Sequence, residues 1–298
     1  MKTRKKHSLK RYQGLLYIMP WLVGFLFLQL YPFLSSLVYS FTDYSMMKAP
    51  NWVGLGNYIR LFTVDTEFTN SMKVTGLYAL ISVPAKLAFA LLVAVILNRK
   101  IRGINFYRTV YYLPSILGGS VAVSALWKIM FMKNGIINTM IGCLGMGPVD
   151  WVGPGMALFT ISLLQVWQFG SSMVLFLAAL KNIPGELLEA AAVDGAGKTY
   201  TFFKITLPMI SPIIFFNLIM QSINALQNFT SAFVVTNGGP MKSTYVMGMK
   251  LYTDAFNYFQ MGYASAQSWV LFAVILVLTA LIFKSSDAWV YYEDGGNF

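Results

Sequence analysis

Charge is absent from long stretches of this sequence, and those gaps define its elements. Residues 12–42, 109–127, 151–180, 205–241 and 255–283 carry no Asp, Glu, Lys or Arg. A helix needs about 20 predominantly apolar residues to cross a bilayer. The gaps therefore predict spans over Leu15–Phe41, residues 109–127, Met156–Leu180, Met209–Val235 and Tyr263–Phe283. One more, Thr75–Leu97, is interrupted only by Lys86. Pro20 and Pro32 predict bends in the first span, which packed neighbours tolerate. The fold class that follows is an all-α integral membrane protein with six transmembrane helices.

One polar interruption stands out, Lys181 to Pro208, with charge at Lys181, Glu186, Glu189, Asp194, Lys198 and Lys204. Pro184 sits where a helix can start, because its missing N–H would be unsatisfied there anyway. Leu187, Leu188, Ala191 and Ala192 can share one face of the helix that follows. Asp194-Gly195 should end it, since glycine tolerates the left-handed geometry of a helix terminus. A second short helix is expected to carry Tyr200, Phe203 and Leu207 on one side before Pro208 stops it. The pattern is a helix-turn-helix at a membrane surface, with small residues that let another protein come close.

Composition agrees with the spacing. Hydrophobic residues make up 57% of the chain and charged residues 11%, against about 25% charged in soluble domains. The net charge of +11 admits a nucleic-acid binder or a membrane protein with basic edges, and its distribution decides. Fourteen of the 22 Lys and Arg lie in 1–13, 98–108, 181–207 and 284–298, and six in 42–74, 132–155 and 236–262. Basic loops mark the cytoplasmic side, so both termini and the 181–208 loop are expected there. No nucleic acid is needed to explain the charge. The start, MKTRKKHSLKRYQ, has the charge of a signal peptide. The apolar run after it is too long and lacks a small-residue cleavage site, so it is expected to be retained. A single cysteine, Cys143, excludes an intramolecular disulfide framework and reads as a small apolar filler.

Catalytic chemistry finds no constellation. The one histidine, His7, lies in the basic arm, and no His, Cys and carboxylate cluster has metal-ligand spacing. Gly195-Ala196-Gly197-Lys198-Thr199 invites comparison with a phosphate-binding loop, but that motif needs Gly where Ala192 stands and a strand where ELLEAAA reads as helix. No Asp or Glu falls inside a span, which weighs against a proton relay. Lys86 is either snorkelling or paired against a partner helix, or it helps to hold an acidic substrate. Uncharged polar residues recur in two spans: Trp167, Gln168, Ser171 and Ser172 in the fourth, and Gln221, Asn224, Gln227 and Asn228 at three- and four-residue steps in the fifth. Buried amides are costly unless hydrogen-bonded, so each stripe either glues helices together or lines a wet cavity. Amides that donate and accept at once, beside an indole face, suit carbohydrate.

The interruption also carries a family resemblance. Glu189-Ala190-Ala191, Asp194-Gly195-Ala196, Phe202, Ile205 and Leu207-Pro208 match the EAA loop of bacterial ABC importer permeases. Asn51-Trp52-Val53-Gly54-Leu55-Gly56-Asn57-Tyr58, Thr236 to Pro240, Gly262 to Ala266 and Val290 to Glu293 are similar to pieces of the sugar-type permeases. The resemblance implies a cytoplasmic EAA coupling helix that docks on an ATPase, through Glu189, Ala190, Ala191, Asp194, Gly195, Ala196, Leu207 and Pro208. It implies a substrate pocket built from the spans flanking that loop. The implied partners are a second homologous permease subunit, a dimer of ABC ATPase subunits and an extracytoplasmic sugar-binding protein, in the lipid of a bacterial inner membrane. This chain would bind no cofactor, with ATP and Mg held by the ATPase subunits. Residues 1–13 would form a cytoplasmic arm, 14–284 the permease domain with the EAA loop at 181–208, and 285–298 a cytoplasmic tail. A di- or oligosaccharide is the first expectation for the substrate. Lys86 and Lys128 keep acidic oligosaccharides and glycerol phosphate-type solutes open. The rivals are a secondary carrier working without an ATPase and a non-transporting membrane scaffold.

Overall fold

A computed structural model describes residues 17–99 and 102–291. The basic arm with His7, Lys100 and the tail beyond Tyr291 lie outside the described residues. Among those described, regular structure is helical throughout, apart from isolated bridges at Thr42–Trp52 and Ser45–Lys48. The helices are α1 (Tyr17–Ser40), α2 (Gly56–Thr63), α3 (Thr66–Leu97), α4 (Ile104–Leu117), α5 (Val121–Met130) and α6 (Ile136–Cys143). They continue with α7 (Ala157–Trp167), α8 (Gly170–Asn182), α9 (Gly185–Val193), α10 (Lys198–Met209), α11 (Ser211–Leu226), α12 (Met247–Tyr252) and α13 (Met261–Ser286). Three of them, α1, α3 and α13, are long and apolar enough to cross a membrane, and counting each bent pair as one span gives six.

The chain divides into two compact units. The first comprises the chain up to Asp65 together with Leu251–Leu271. In it the expected bend of α1 takes the form of a widened π turn at Phe25–Leu30, just ahead of Pro32. Pro32 has no N–H for a helical bond, and Tyr31 N–H bonds back to Leu26. The segment after α1 folds onto that helix's end. Asn57 donates to the Ser40 and Thr42 carbonyls at 2.9 and 2.8 Å, and Tyr58 donates to the Ser40 hydroxyl. The Asn51 backbone N–H, 2.7 Å from Asp43, and then its side chain hold the Asp43 carboxyl below its ordinary value. The start of α13 packs on this region through Gly262, where an added Cβ would sit 2.2 Å from the Thr42 carbonyl oxygen.

The second unit comprises Thr66–Lys250 and the chain from Phe272 onward. Its centre is α3, which packs against α4, α7, α8 and α11. Small residues on the buried face of α3, among them Ser71, Thr75, Ser82, Ala90 and Ala94, allow that many neighbours. The hydroxyls are satisfied locally, Thr75 on the Ser71 carbonyl and Ser82 on that of Tyr78, both at 2.7 Å. The helix starts at Thr66 rather than Thr75, because Glu67 in its first turn faces Lys242 and Lys250 instead of ending the helix.

Three spans expected as single rods are broken. The third bends by 103° between α4 and α5, where Gly119 takes φ +84° and the Ser120 side chain caps α5. The fourth bends by 46° between α7 and α8. The fifth begins with a 65° elbow between α10 and α11, and α11 stops at Leu226 rather than running to Val235. A separate π turn follows at Ala232–Thr236. Cys143 is exposed at the end of α6 rather than filling a core.

Candidate functional site

The polar loop folds as two helices joined by a tight turn. Pro184 stands as N-cap of α9, with Glu186 in the first turn where the helix dipole favours an acid. The helix closes on Asp194, and Gly195 follows at φ +77°. Ala196 N–H reaches the Ala191 carbonyl at 2.9 Å and Gly195 N–H reaches that of Ala192 at 3.1 Å. This paired arrangement is the Schellman motif, which glycine at that position makes possible. Phe202 and Ile205 lie in a π turn over Phe202–Thr206, and α10 runs through Pro208 to Met209, so the break falls at Ile210 and not at the proline.

The loop keeps its surface. Of α9, Ala191 alone is buried, while Glu189, Ala190 and Ala192 are exposed, as are Leu187 and Leu188. Of the expected apolar face, Leu187, Leu188 and Ala192 are therefore turned outward and Ala191 inward. No cation lies within ion-pair distance of Glu186, Glu189 or Asp194 among the described residues. A hollow of about 720 Å³ lies between α9 and α10, lined by residues including Ala190, Ala191, Gly195, Ala196, Tyr200 and Ile205. The helix thus presents apolar side chains beside a carboxylate with no ion-pair partner among the described residues, and it ends in a fixed turn.

The two polar stripes fare differently. Gln221 is buried, but Asn224, one turn on, is exposed. Gln227 is the C-cap of α11 and Asn228 lies beyond it, so the four amides do not share one helix. Asn228 accepts from Ser231 at 2.8 Å. In the fourth span Trp167 packs on the core, its ring 5.8 Å from that of Trp127, so its indole serves an aromatic cluster with Phe131. Gln168 sits at the break, its side chain against Gly118. Three buried polar atoms from these stripes have no hydrogen-bond partner among the described residues: Ser172 Oγ, Gln221 Oε1 and Asn228 Nδ2.

Two features escaped the pattern reading. Trp127 is buried and donates to the Thr160 carbonyl at 3.1 Å, and its place beside Lys128 at the end of an apolar run was the available signal. The segment after α13 folds back on the elbow between α10 and α11. There Tyr291 N–H donates to the Ser211 hydroxyl, which itself donates to the Pro208 carbonyl. Trp289, Phe203, Leu207 and Phe176 help to line an apolar hollow of about 430 Å³ beside that elbow. Among the described residues no group of three His, Cys, Asp or Glu could hold a metal ion.

Known proteins resemble this chain along most of its length. Residues 86–294 match the family described as "Binding-protein-dependent transport system inner membrane component". The chain is 48% identical over 296 residues to "Probable ABC transporter permease protein YesP" of Bacillus subtilis, covering 97% of this chain and 96% of that one. It is 34% identical over 298 residues to "Lactose transport system permease protein LacF" of Rhizobium radiobacter, covering 96% and 99%. A crystal structure of a bacterial ABC transporter that imports the acidic polysaccharide alginate has a chain of the same fold. The TM-score is 0.81 at 23% identity, covering 96% of this chain and 99% of that one.

Proposed function

The chain belongs to the family of binding-protein-dependent transport system inner membrane components, and on that premise we propose how it works in an ATP-driven importer. It is a permease subunit and not itself an enzyme. A separate ATPase hydrolyses ATP, with Mg, and α9 receives the resulting movement. The loop and both termini face the cytoplasm, in keeping with the basic residues of 98–108 and 181–207. A second permease completes the path, and an extracytoplasmic receptor delivers the solute.

The observation that carries this reading is α9 itself: exposed, closed by a Schellman turn, and joined directly to α8 on one side and α10 on the other. Glu189 meets a basic residue of the ATPase through a charge-assisted bond, and Ala190, Ala191 and Gly195 permit close approach. Asp194, Ala196, Leu207 and Pro208 hold the geometry of the turn and the elbow behind it. The test is Glu189→Lys combined with Gly195→Pro. Membrane insertion should be normal and ATP-dependent uptake should be lost, with the ATPase no longer co-purifying. Normal uptake in that variant overturns the docking role.

The transported solute is a sugar, a di- or oligosaccharide. The lactose permease among the relatives supports this, as do the unpaired buried atoms of Ser172, Gln221 and Asn228. An unsatisfied buried polar atom costs about 1–3 kcal/mol, so the three favour a hydrated, solute-accepting cavity over helix glue. Trp167, Gln168 and Ser171 from the fourth span, with Asn224 and Gln227 from the fifth, complete the proposed lining. The sugar bound by the cognate receptor, identified by mass spectrometry, checks the class.

A further inference from the structure

Two broken spans of the second unit meet at one hydroxyl. Where α7 gives way to α8, Gln168 leaves helical geometry at ψ 34° and the ladder is interrupted. The Gln168 carbonyl and the Ser171 N–H are then left without helical partners, which is costly at membrane depth. Both find the side chain of Ser115, from α4. Its hydroxyl donates to the Gln168 carbonyl at 3.0 Å and accepts from Ser171 N–H at 2.9 Å. A hydroxyl can do both at once, having one donor and two acceptor sites.

The surrounding backbone is built for this approach. A Cβ on Gly170 would fall 2.5 Å from the Tyr111 carbonyl oxygen and 2.9 Å from Ser115 Oγ. A Cβ on Gly118 would fall 2.5 Å from Gln168 Cδ. Gly118 also opens the 103° elbow between α4 and α5. The break of the fourth span and the elbow of the third are therefore one joint, closed by Ser115. At its other end α8 passes through Ile183 and Pro184 into α9. A displacement of α9 that tilts α8 arrives at this joint.

We propose that Ser115 is a positioning residue that ties the break between α7 and α8 to the elbow between α4 and α5, so that both turn as one body when α9 is moved. This rests on the coupling role given to α9 above. The experiment uses the complete importer with Cys143→Ser, trapped with ATP, magnesium and vanadate. One pair of spin labels at the exposed positions Leu113 (α4) and Val174 (α8) reports the joint. A second pair at Val193 (α9) and Leu80 (α3), also exposed, reports whether α9 moves at all.

With Ser115 present, the 113–174 distance should stay single and unchanged on trapping while the 193–80 distance shifts. Ser115→Ala should broaden the 113–174 distribution about twofold on trapping, and Ser115→Thr, which keeps the hydroxyl, should restore it. Should Ser115→Ala fail to accumulate, Ser115→Val, isosteric with the threonine variant but without its hydroxyl, is expected to broaden it. A native-like response of Ser115→Ala or Ser115→Val, with α9 moving, overturns the role of Ser115 alone. A 193–80 distance that never responds overturns the coupling reading, and the role of Ser115 with it.

Discussion

Gly262 shows how much a single position can decide in a helix packed this tightly. Its missing Cβ leaves room for the Thr42 and Tyr39 carbonyl oxygens, at 2.2 and 3.0 Å from where that atom would lie, and backbone cannot step aside as a side chain can. Gly262→Ala is expected to cost about 1–3 kcal/mol by overpacking, lowering the thermal unfolding midpoint of the detergent-solubilised protein. Gly76 in α3 has nothing within 4 Å, so Gly76→Ala is the control and should be neutral or raise the midpoint slightly, by about 0.5–1 kcal/mol. An equal response of the two variants would remove close backbone approach as the reason for glycine at 262. The small residues Gly262, Ala264, Ser265 and Ala266 are of the kind that permit close helix packing. Their partners were not legible, because carbonyl oxygens from a distant segment leave no trace in local sequence. Lys86 was legible as an anomaly in an apolar run. It is buried, with no carboxylate or hydrogen-bond partner among the described residues. The neighbour of Trp167 was not legible, because an indole beside amides looks the same in sequence whether or not another tryptophan ring lies 5.8 Å away.

At the scale of elements, the gaps between charges found where apolar helices lie but not where they break. The elbow after α4 had a local signal in Gly118-Gly119-Ser120, a turn cluster, which the uninterrupted apolar run concealed. The break at Gln168 had only the neighbouring Gly170-Ser171-Ser172, and the hydroxyl that meets its open backbone comes from another helix. The elbow at Ile210 lies between. Pro208 hinted at it, yet the chain bends two residues later, where Ser211 donates to the Pro208 carbonyl at 2.6 Å and accepts from Tyr291 N–H at 2.8 Å. Ser211→Ala removes both bonds and leaves Tyr291 N–H unpaired, which should cost about 1–3 kcal/mol. Because Trp289 packs on Phe215 with ring centroids 6.0 Å apart beside the same elbow, loosening it should also expose that indole. The measurement is quenching by acrylamide of Trp289 as the sole tryptophan, compared with and without Ser211→Ala. Unchanged quenching and stability would mean that aromatic packing alone holds the segment in place.

For the whole molecule, the arrangement of basic residues makes a statement about sidedness that one native atom can test. The chain has a single cysteine, Cys143, and its side chain is exposed at the end of α6. It lies in 132–155, a segment with one basic residue, whereas 98–108 before it holds four and 181–207 after it holds three. If basic segments remain inside, the thiol is outside, although α4 and α5 between them turn through 103° instead of running straight. A doubled-back α4–α5 pair that returned the chain to its starting side would place Cys143 in the cytoplasm and invert everything after it. The inverted arrangement would put α9 outside, away from any ATPase. A membrane-impermeant maleimide added to intact cells should therefore modify native Cys143. In a Cys143→Ser, Lys198→Cys variant the same reagent should react only after the cells are permeabilised. Labelling of Cys143 only after permeabilisation, with Lys198→Cys reactive in intact cells, would reverse the sidedness and end the coupling role of α9. The sole cysteine thus separates a broken span from a re-entrant one, a distinction that neither hydropathy nor the bend angle makes.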